Sequence, residues 1–298
     1  MLRLCRVVIV GLAPWSASGQ APLVPHVPIN LAHVERVRDE TRQGDDRWSA
    51  PLRRLRADAD ACLDDGPWSV TDKSVLPPSG DPHDYMSLGP YWWPNPETPD
   101  GLPYVRRDGD VNPERARIPD ASSWGRMART SSTLALAAVL LDDEACAERA
   151  ALLIRTWFID PETRMHPHLR YGQAIPGRVD GRDIGIIDTR EVFLVTDAVR
   201  LLEQSHAWTP DDDEAIRAWM RDYLEWLVHG EYRTEGDRRN NHATWYDVQV
   251  VSIADLLGLE PLVEDTLRRV HARRIAPYIA VDGEQVEETA RTHGWEYS

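Results

Sequence analysis

The sequence predicts an all-α protein in which helical hairpins form an α/α toroid, with long ordered loops over one end. Apolar residues recur at helical spacing through most of the chain after residue 30. The predicted helices follow one another in pairs joined by short turns, which is the pattern of αα-hairpins. The chain shows no repeat of fixed period, so a regular solenoid is the less favoured arrangement.

The predicted helices share apolar residues at i, i+3 and i+4, the spacing that lines one helical face. Pro210, Gly258 and Pro261 supply start and stop signals for the later helices. Residues 124–158 are predicted to form two helices that break near Asp142. In chain order, the helical segments are 30–43, 51–64, 124–158, 189–204, 211–229, 243–257 and 261–280.

Two long segments, residues 67–122 and 160–188, do not follow the helical pattern. They are rich in Pro and Gly, but they also contain aromatic and aliphatic residues, which argues against disorder. Loops of this length inside a compact domain are usually functional. We therefore expect both segments to be ordered and to form the walls of a cleft at one end of the toroid.

The N-terminus has the features of a short secretory signal. Arg3 and Arg6 precede the apolar run 7–13, and small residues follow it. This run is too short to span a membrane as a mature helix, so no membrane insertion is expected. We expect residues 1–21 to be a signal peptide, residues 22–298 to form one domain, and the protein to be periplasmic or secreted.

Three cysteines occur in the chain, and Cys5 would be removed with the signal. Cys62 and Cys146 would remain in the exported protein. Two cysteines in an oxidising compartment can pair, but they can equally be buried free thiols. The sequence leaves both states open.

The formal net charge of −15 argues against nucleic acid as a partner, because phosphate binding needs a basic field. Lys73 is the only lysine, so nearly all positive charge is on arginine. Guanidinium groups suit bidentate pairing with carboxylates. An acidic protein of this kind can bind a polyanion if its arginines line one cleft.

The chain contains 12 tryptophans and only 2 phenylalanines. Indole rings pack in protein cores, and they also offer flat faces on which sugar rings can stack. We expect at least half of the tryptophans to be core residues and the others to be available to a carbohydrate.

Residues 238–249 hold the densest group of polar and aromatic side chains. Asn241 and Trp245 form one i,i+4 pair and His242 and Tyr246 form another, so each pair shares a helical face. The alternative interpretation is that an asparagine caps a helix and His242 packs beneath it. The second group of polar residues, near the C-terminus, favours the functional interpretation.

Residues 288–297 add Arg291 and Tyr297, which completes a set suited to β-elimination in a uronic-acid polymer. The C5 proton of a uronate is barely acidic while the adjacent carboxylate keeps its charge. Asn241, His242 and Arg291 can neutralise that carboxylate and stabilise the developing dianion. Tyr297 can take the C5 proton and protonate the departing O4, if both lie on one face of the sugar.

Four segments resemble the alginate lyase superfamily of polysaccharide lyases, and the resemblance covers roughly residues 30–298. The segments are Tyr85-Met86-Ser87-Leu88-Gly89-Pro90-Tyr91-Trp92-Trp93-Pro94-Asn95-Pro96, Gly172-Gln173-Ala174-Ile175-Pro176-Gly177, Asn240-Asn241-His242-Ala243-Thr244-Trp245-Tyr246 and Ala290-Arg291-Thr292. The resemblance implies an incomplete α/α toroid, a secreted or periplasmic enzyme, and no cofactor or obligatory metal.

By motif match, Asn241 and His242 are the implied carboxylate neutralisers, and His242 is also a candidate base. Arg291 is the implied partner arginine and Tyr297 the acid/base. The expected activity is β-elimination at C4–C5 of an anionic polysaccharide, either alginate (polymannuronate) or glucuronan. The residues expected to bind substrate are Tyr91, Trp92, Trp93, Tyr171, Gln173, Arg178, Arg239, Trp245 and Tyr246.

Relatives of this type continue through further helices, whereas this chain stops at Ser298. We therefore expect the toroid to be incomplete at its C-terminus. We also expect the 298-residue chain to be less active than a version extended by those helices, because an unsupported chain end frays.

Two other functions compete with the lyase. An inverting glycoside hydrolase would need two opposed carboxylates, for which Asp183, Asp188 and Glu191 are candidates. A non-catalytic polysaccharide-binding protein is the second alternative.

His166 and His168 could form a metal site, but this interpretation is the less favoured one. No acidic or Cys ligand lies at supporting spacing in the sequence.

Overall fold

The computed structural model describes residues 29–294, and within them the fold is all-α, as predicted. The predicted signal peptide, residues 1–21, and Tyr297 lie outside the described residues. No helix within 29–294 is long and apolar enough to cross a membrane. The helices are α1 (Leu31–Arg42), α2 (Ser49–Cys62), α3 (Asp120–Leu141), α4 (Glu144–Ile154), α5 (Val192–Leu202), α6 (Pro210–His229), α7 (Asn241–Leu256), α8 (Glu260–Val270) and α9 (Val286–Thr289).

The two segments that lack helical periodicity are ordered and contain all the described strands. These strands are β1 (Met86–Leu88), β2 (Trp92–Trp93), β3 (Val105–Arg106) and β4 (Tyr171–Ala174). β1 pairs with β4 in parallel, and β2 pairs with β3 in antiparallel orientation. The β1–β4 pairing joins the two long loops to each other. Strands of two to four residues are too short to show an alternating pattern, and the sequence did not predict them.

The helix ends follow local signals in the sequence. The Asn30 side chain accepts the His33 backbone N–H at 3.0 Å and caps α1. α3 ends where Asp142 adopts a left-handed φ of 52°, and the predicted break lies at this residue. Thr209 and Asp212 form a capping box at the start of α6, where Pro210 occupies the first turn.

α3 and α5 form the centre of the molecule. α3 packs against α1, α2, α4 and α5, and α5 packs also against α7. Every residue of α5 from Val192 to Val199 is buried, because neighbouring helices cover it on all sides. A helix in this position is apolar around most of its circumference, and the two polar residues of this stretch, Thr196 and Asp197, both make hydrogen bonds. α7 in turn contacts α6 and α8, so the helix with the densest polar group is anchored on the core.

Aromatic rings pack edge to face where α3, α6 and the π-helical turn after α4 (Arg155–Ile159) meet. Trp124 contacts Trp157 and Phe158 with ring centroids 5.9 and 5.7 Å apart, and Phe158 contacts Trp219 at 4.7 Å. The expectation that at least half of the tryptophans serve the core is confirmed. Seven either lie in the core or pack against it: Trp68, Trp124, Trp157, Trp208, Trp219, Trp226 and Trp245.

Cys62 and Cys146 are both free thiols in the structure. Burial raises the pKa of the Cys146 thiol to about 11, so this side chain stays protonated at neutral pH. Cys146 is a packing residue of α4.

The only lysine, Lys73, forms a salt bridge with Asp120 that is completely buried. The ammonium lies 3.0 Å from Asp120 Oδ2 and also donates to the Pro82 carbonyl at 2.8 Å. The same Asp120 oxygen accepts the Met86 backbone N–H at 2.9 Å. Burial raises the pKa of Asp120 to about 6, and Lys73 opposes that shift, so the carboxylate is ionised at neutral pH. The pair ties the first residue of α3 to the segment that begins β1.

Lys73→Met should lower the free energy of unfolding by about 3–5 kcal/mol, because it leaves the Asp120 charge buried without its partner. The control Glu264→Gln removes an exposed pair with Arg268 on α8 and should change stability by less than about 0.5 kcal/mol. Urea unfolding at pH 7 measures both values. Equal stability of Lys73→Met and the control would contradict the role given to this buried pair.

Candidate functional site

The N-terminus of α7 presents the two residues predicted to neutralise a substrate carboxylate. The Asn240 side chain accepts the His242 backbone N–H at 3.2 Å and caps the helix. Capping therefore falls to Asn240, and Asn241 is the first helical residue. The side chains of Asn241 and His242 are thus presented at the positive end of the helix dipole, where negative charge is stabilised.

His242 is oriented by a buried carboxylate. Its Nδ1 lies 2.5 Å from Glu235 Oε1, and the Glu235 side chain is fully buried. Because an ionised carboxylate only accepts hydrogen bonds, this contact places the imidazole hydrogen on Nδ1. The other nitrogen, Nε2, then has the lone pair that a base or an acceptor needs.

Glu235 lies in the 3₁₀ turn Arg233–Asp237, which is fixed from two sides. Arg238 Nε donates to the second Glu235 oxygen at 3.1 Å. Arg274 binds both carboxylate oxygens of Asp247 at 2.6 and 2.8 Å and also donates to the Gly236 carbonyl at 2.8 Å. The bidentate Arg274–Asp247 pair therefore holds the Glu235 turn against α7.

Asn241 and Arg291 are brought together by Glu288 of α9. Both the Asn241 backbone N–H and its Nδ2 donate to Glu288 Oε1, each at 2.6 Å. Arg291 Nη1 lies 3.7 Å from Glu288 Oε2. A carboxamide nitrogen has two hydrogens, so this contact leaves one Asn241 N–H for another acceptor. The structure thus places three of the four predicted catalytic residues, Asn241, His242 and Arg291, around the start of α7.

The C-terminal segment also contacts the loop that follows β3. Thr292 Oγ1 donates to Asp108 Oδ2 at 2.8 Å. A Cβ on Gly109, whose φ is +83°, would lie 2.3 Å from the His293 ring, so only glycine fits there. These contacts join the segment that contains Arg291 to the β2–β3 hairpin.

Tryptophan rings of β2 lie under arginine side chains. The Arg178 guanidinium lies 5.3 Å from the Trp92 ring centroid and that of Arg182 lies 6.0 Å from it. Arg107 lies over Trp93 at 5.0 Å. Both rings are half-buried. Flat faces beside guanidinium groups form a surface suited to sugars that bear carboxylates.

Gln173 of β4 has an unusual backbone and a buried side chain. Its φ is +49°, a conformation that costs about 1–3 kcal/mol outside glycine. Its backbone N–H donates to Ser87 Oγ at 2.7 Å, and its Nε2 donates to Asp188 at 3.0 Å. Arg182 donates to both the Gln173 carbonyl and its side-chain oxygen, at 2.9 and 3.1 Å. Gln173 thus serves to position Arg182, and a direct sugar contact by its side chain stays a prediction.

Four predicted substrate-binding residues lie near the surface of the molecule. Tyr91 and Tyr171 are half-buried, and the Arg239 side chain is 70% exposed, with Glu287 3.9 Å away. Arg178 is also exposed, and its Nε donates to the Tyr104 carbonyl at 2.8 Å. Their contact with a substrate stays a prediction.

Trp245 and Tyr246 make packing contacts. The Trp245 ring stacks on Phe193 with centroids 6.3 Å apart. The Tyr246 hydroxyl donates to the Leu227 carbonyl at 2.8 Å, and burial raises the pKa of this phenol to about 12. The sequence motif predicted a sugar-binding role for both residues. Their observed contacts support the helical core, and a sugar contact stays a prediction.

The carboxylates considered for a hydrolase are engaged with internal donors. Asp188 accepts hydrogen bonds from Ser87 and Gln173, and also from Tyr85 at 3.1 Å. Asp183 pairs with Arg238 at 2.5 Å, and Glu191 with Arg190 at 3.2 Å. Carboxylates with these partners are not arranged as an acid and a base that flank a water molecule.

His166 and His168 have an acidic neighbour that the sequence analysis did not find. Asp84 lies 82 residues before His166 in the chain, yet its Oδ1 is 2.9 Å from His166 Nδ1 and 3.1 Å from His168 Nε2. An acidic ligand is therefore close to these histidines in the fold, although none lies at supporting spacing in the sequence. The three side chains form a compact cluster in the fold.

Sequence reasoning also missed Glu235, Glu288 and Arg182. Glu235 lies in a 3₁₀ turn and His242 in the helix that follows it, so helical periodicity does not relate the two residues. Glu288 belongs to the second polar segment, but no local pattern gives its contact with Asn241. The sequence signal for Glu235 was an acidic residue close to His242, but the burial of that residue could not be predicted without the fold.

Comparisons with known proteins agree with the geometry. A family model described as alginate lyase matches residues 69–298. Among solved structures, an alginate lyase from Bacteroides ovatus is similar with a TM-score of 0.83 and 38% sequence identity, over 90% of this chain and 70% of that chain. A comparison with curated proteins gave no match. The polar group at the start of α7, the Trp–Arg surface and these matches lead to one conclusion: the chain is a polysaccharide lyase that belongs to the alginate lyase family.

Proposed function

We propose that this lyase cleaves a polyuronate, either the polymannuronate of alginate or glucuronan, at the site formed by Asn241, His242, Arg291 and Tyr297. The observation that supports this most directly is the 2.5 Å contact between His242 Nδ1 and the buried Glu235. A buried carboxylate that fixes one imidazole nitrogen is the arrangement of a histidine used in catalysis. A histidine that only packs in the core does not require a buried carboxylate next to it.

The elimination begins with charge neutralisation at the sugar carboxylate. Asn241 and Arg291 donate hydrogen bonds to its oxygens, which stabilises the negative charge that develops when C5 loses its proton. The C5–H bond breaks, the C4=C5 double bond forms, and the C4–O4 bond breaks. A general acid protonates the departing O4, so the elimination takes place without the addition of a water molecule.

His242 and Tyr297 divide the proton transfers in one of two ways. Tyr297 can act as both base and acid if the C5 hydrogen and O4 lie on the same face of the sugar. Alternatively, His242 Nε2 takes the C5 proton and Tyr297 protonates O4. The second assignment uses the imidazole tautomer that Glu235 imposes, since that tautomer leaves Nε2 unprotonated. In the first assignment His242 neutralises the sugar carboxylate, which it can do only when both ring nitrogens carry a hydrogen.

The β2–β3 hairpin and the start of β4 form the proposed groove for neighbouring sugars. Trp92 and Trp93 offer ring faces, and Arg178 and Arg182 offer positive charge to uronate carboxylates. Burial lowers the pKa of Arg182, but guanidinium groups stay protonated in proteins, so Arg182 is cationic at neutral pH. The net charge of −15 makes this local positive surface necessary for a polyanionic substrate.

We propose that the enzyme acts outside the cytoplasm. The charged and apolar pattern of residues 1–21 supports export, as does a polymeric substrate that has to be met outside the cell.

A panel of polymannuronate, polyguluronate and glucuronan tests the proposed substrate class. Mannuronate and glucuronate share their configurations at C4 and C5, so the same site geometry can serve both, and selectivity must come from contacts to the 2-hydroxyl. We expect ultraviolet absorbance from the 4,5-unsaturated product to rise with at least one of these two polymers. Activity confined to polyguluronate, or new reducing ends without absorbance, would contradict the proposal.

His242→Ala and Asn241→Ala should each lower the elimination rate by roughly 100- to 1000-fold, because each removes one preorganised group of the site. The exposed His206 provides the matched control, and His206→Ala should keep the wild-type rate. Initial rates of ultraviolet absorbance give the comparison, and circular dichroism checks folding. Near-native turnover in either site variant would overturn the assignment.

Glu235→Gln should lower kcat by about 10²- to 10⁴-fold, because the amide can donate to His242 Nδ1 and stabilise the wrong tautomer. KM should change little, since Glu235 is buried and does not reach the substrate. Glu225→Gln on the exposed face of α6 is the matched control. A Glu235→Gln enzyme with unchanged kcat would show that the carboxylate only stabilises the fold.

Tyr297→Phe should abolish turnover while binding survives, because the ring remains and only the proton carrier is lost. Equilibrium binding of a short polyuronate oligosaccharide and steady-state kcat separate the two effects. If Tyr297→Phe keeps robust activity, the proton carrier lies elsewhere and His242 is the next candidate.

A further inference from the structure

We propose that Asp84, His166 and His168 bind one divalent transition-metal ion, best matched by Zn²⁺, which joins the segments that lead into β1 and β4. The site has a structural role and lies outside the set of groups assigned to the elimination. Its existence does not depend on the proposed function, because stability and metal content test it without any substrate.

The distances between the three donor atoms support this proposal. Asp84 Oδ1 lies 2.9 Å from His166 Nδ1 and 3.1 Å from His168 Nε2, and all three donors lie within 4.8 Å of one another. With zinc–ligand bonds of about 2.0–2.2 Å, neighbouring ligands of a tetrahedral ion lie about 3.3–3.5 Å apart. The two distances to Asp84 Oδ1 therefore need to lengthen by only a few tenths of an ångström, and the two histidine nitrogens, which lie within 4.8 Å of each other, need to adopt the same spacing.

The chemistry of the donors selects the class of metal. Two imidazoles and one carboxylate suit zinc and its transition-metal neighbours, whereas Mg²⁺ and Ca²⁺ prefer oxygen ligands. Asp81 Oδ2 lies 3.9 Å from His166 Nδ1 and can approach as a fourth ligand, or water can fill that position. The His166 side chain is 42% exposed, so an ion can enter from solvent.

Groups around the cluster orient the ligands. Ser79 Oγ donates to Asp84 Oδ2 at 2.6 Å, which leaves Oδ1 directed at the two histidines. His168 Nδ1 accepts the Arg170 backbone N–H over a long distance of 3.4 Å. Metal binding through Nε2 moves the imidazole hydrogen to Nδ1 and releases this weak contact.

The place of the cluster in the fold indicates what the ion would do. Asp84 precedes β1 by two residues and His168 precedes β4 by three, and these two strands pair in parallel. A bound ion would fix the starts of both strands, and with them the wall that holds Gln173 and Arg182. A metal crosslink between segments far apart in sequence stabilises the folded state, because the unfolded chain rarely brings the ligands together.

Metal content and thermal unfolding of the full 298-residue chain test the site. The protein is treated with a chelator, loaded with zinc chloride and passed through gel filtration. We expect one zinc per chain by mass spectrometry and a higher Tm than that of the chelated protein. Magnesium chloride should produce no such rise, and a rise as large as that from zinc would overturn the assigned metal class.

Variants distinguish zinc bound by Asp84, His166 and His168 from zinc bound adventitiously elsewhere on the protein. His166→Gln and His168→Gln should each abolish zinc binding and the rise in Tm. Because the His166 side chain is partly exposed, His166→Gln should leave the fold intact. Ser79→Ala should weaken zinc binding about 10- to 100-fold in a chelator competition, since it removes the hydrogen bond that orients Asp84. His206→Gln is the matched control and should behave as wild type. Equal zinc content and affinity in wild type and His166→Gln, or no bound zinc in wild type, would overturn the proposal.

Discussion

Complete burial of the Glu235 carboxylate costs free energy, which hydrogen bonds to its two oxygens must offset. His242 donates to one oxygen and Arg238 to the other, so both contacts are needed for the charge to be tolerated. This requirement fixes the 3₁₀ turn relative to α7, and it fixes the imidazole as well. The orientation of His242 and the local stability at the start of α7 are therefore consequences of the same buried charge.

The surrounding structure follows from that constraint. Arg274 holds the turn through Asp247, and α7 rests on α5, whose residues are buried on every side. Glu288 connects Asn241 to the segment that contains Arg291. Groups that act together on a carboxylate must keep their positions to within a fraction of an ångström, and rigid helices provide that precision better than loops do.

The helices could be predicted from the sequence because their apolar residues repeat at helical spacing over ten or more positions. The break at Asp142 and the start at Pro210 were also predictable, since both depend on local backbone chemistry. Asn241, His242 and Arg291 were found through motif resemblance, and the structure brings them together. Their predicted catalytic roles still depend on the variants described above.

The remaining features depend on contacts between distant parts of the chain. Glu288 lies 47 residues from Asn241, and Asp84 lies 82 residues from His166, so no local pattern encodes either contact. The short strands arise because the two long loops pair with each other, which neither loop shows alone. The packing contacts of Trp245 and Tyr246 could not be predicted, because i,i+4 spacing shows which residues share a helix face but not which other residues pack against that face.

The contact between the β2–β3 hairpin and the C-terminal segment links two parts of the proposed groove mechanically. Asp108 accepts a hydrogen bond from Thr292, and Gly109 packs against His293, and these are the two residues that follow Arg291. On the proposed assignment of Arg291 to the sugar that is cleaved, a sugar bound against the hairpin is connected to that arginine through these contacts. Binding energy from remote sugars can in this way be used to align the reacting groups. The length of the bound oligosaccharide then influences the rate of bond cleavage as well as the affinity.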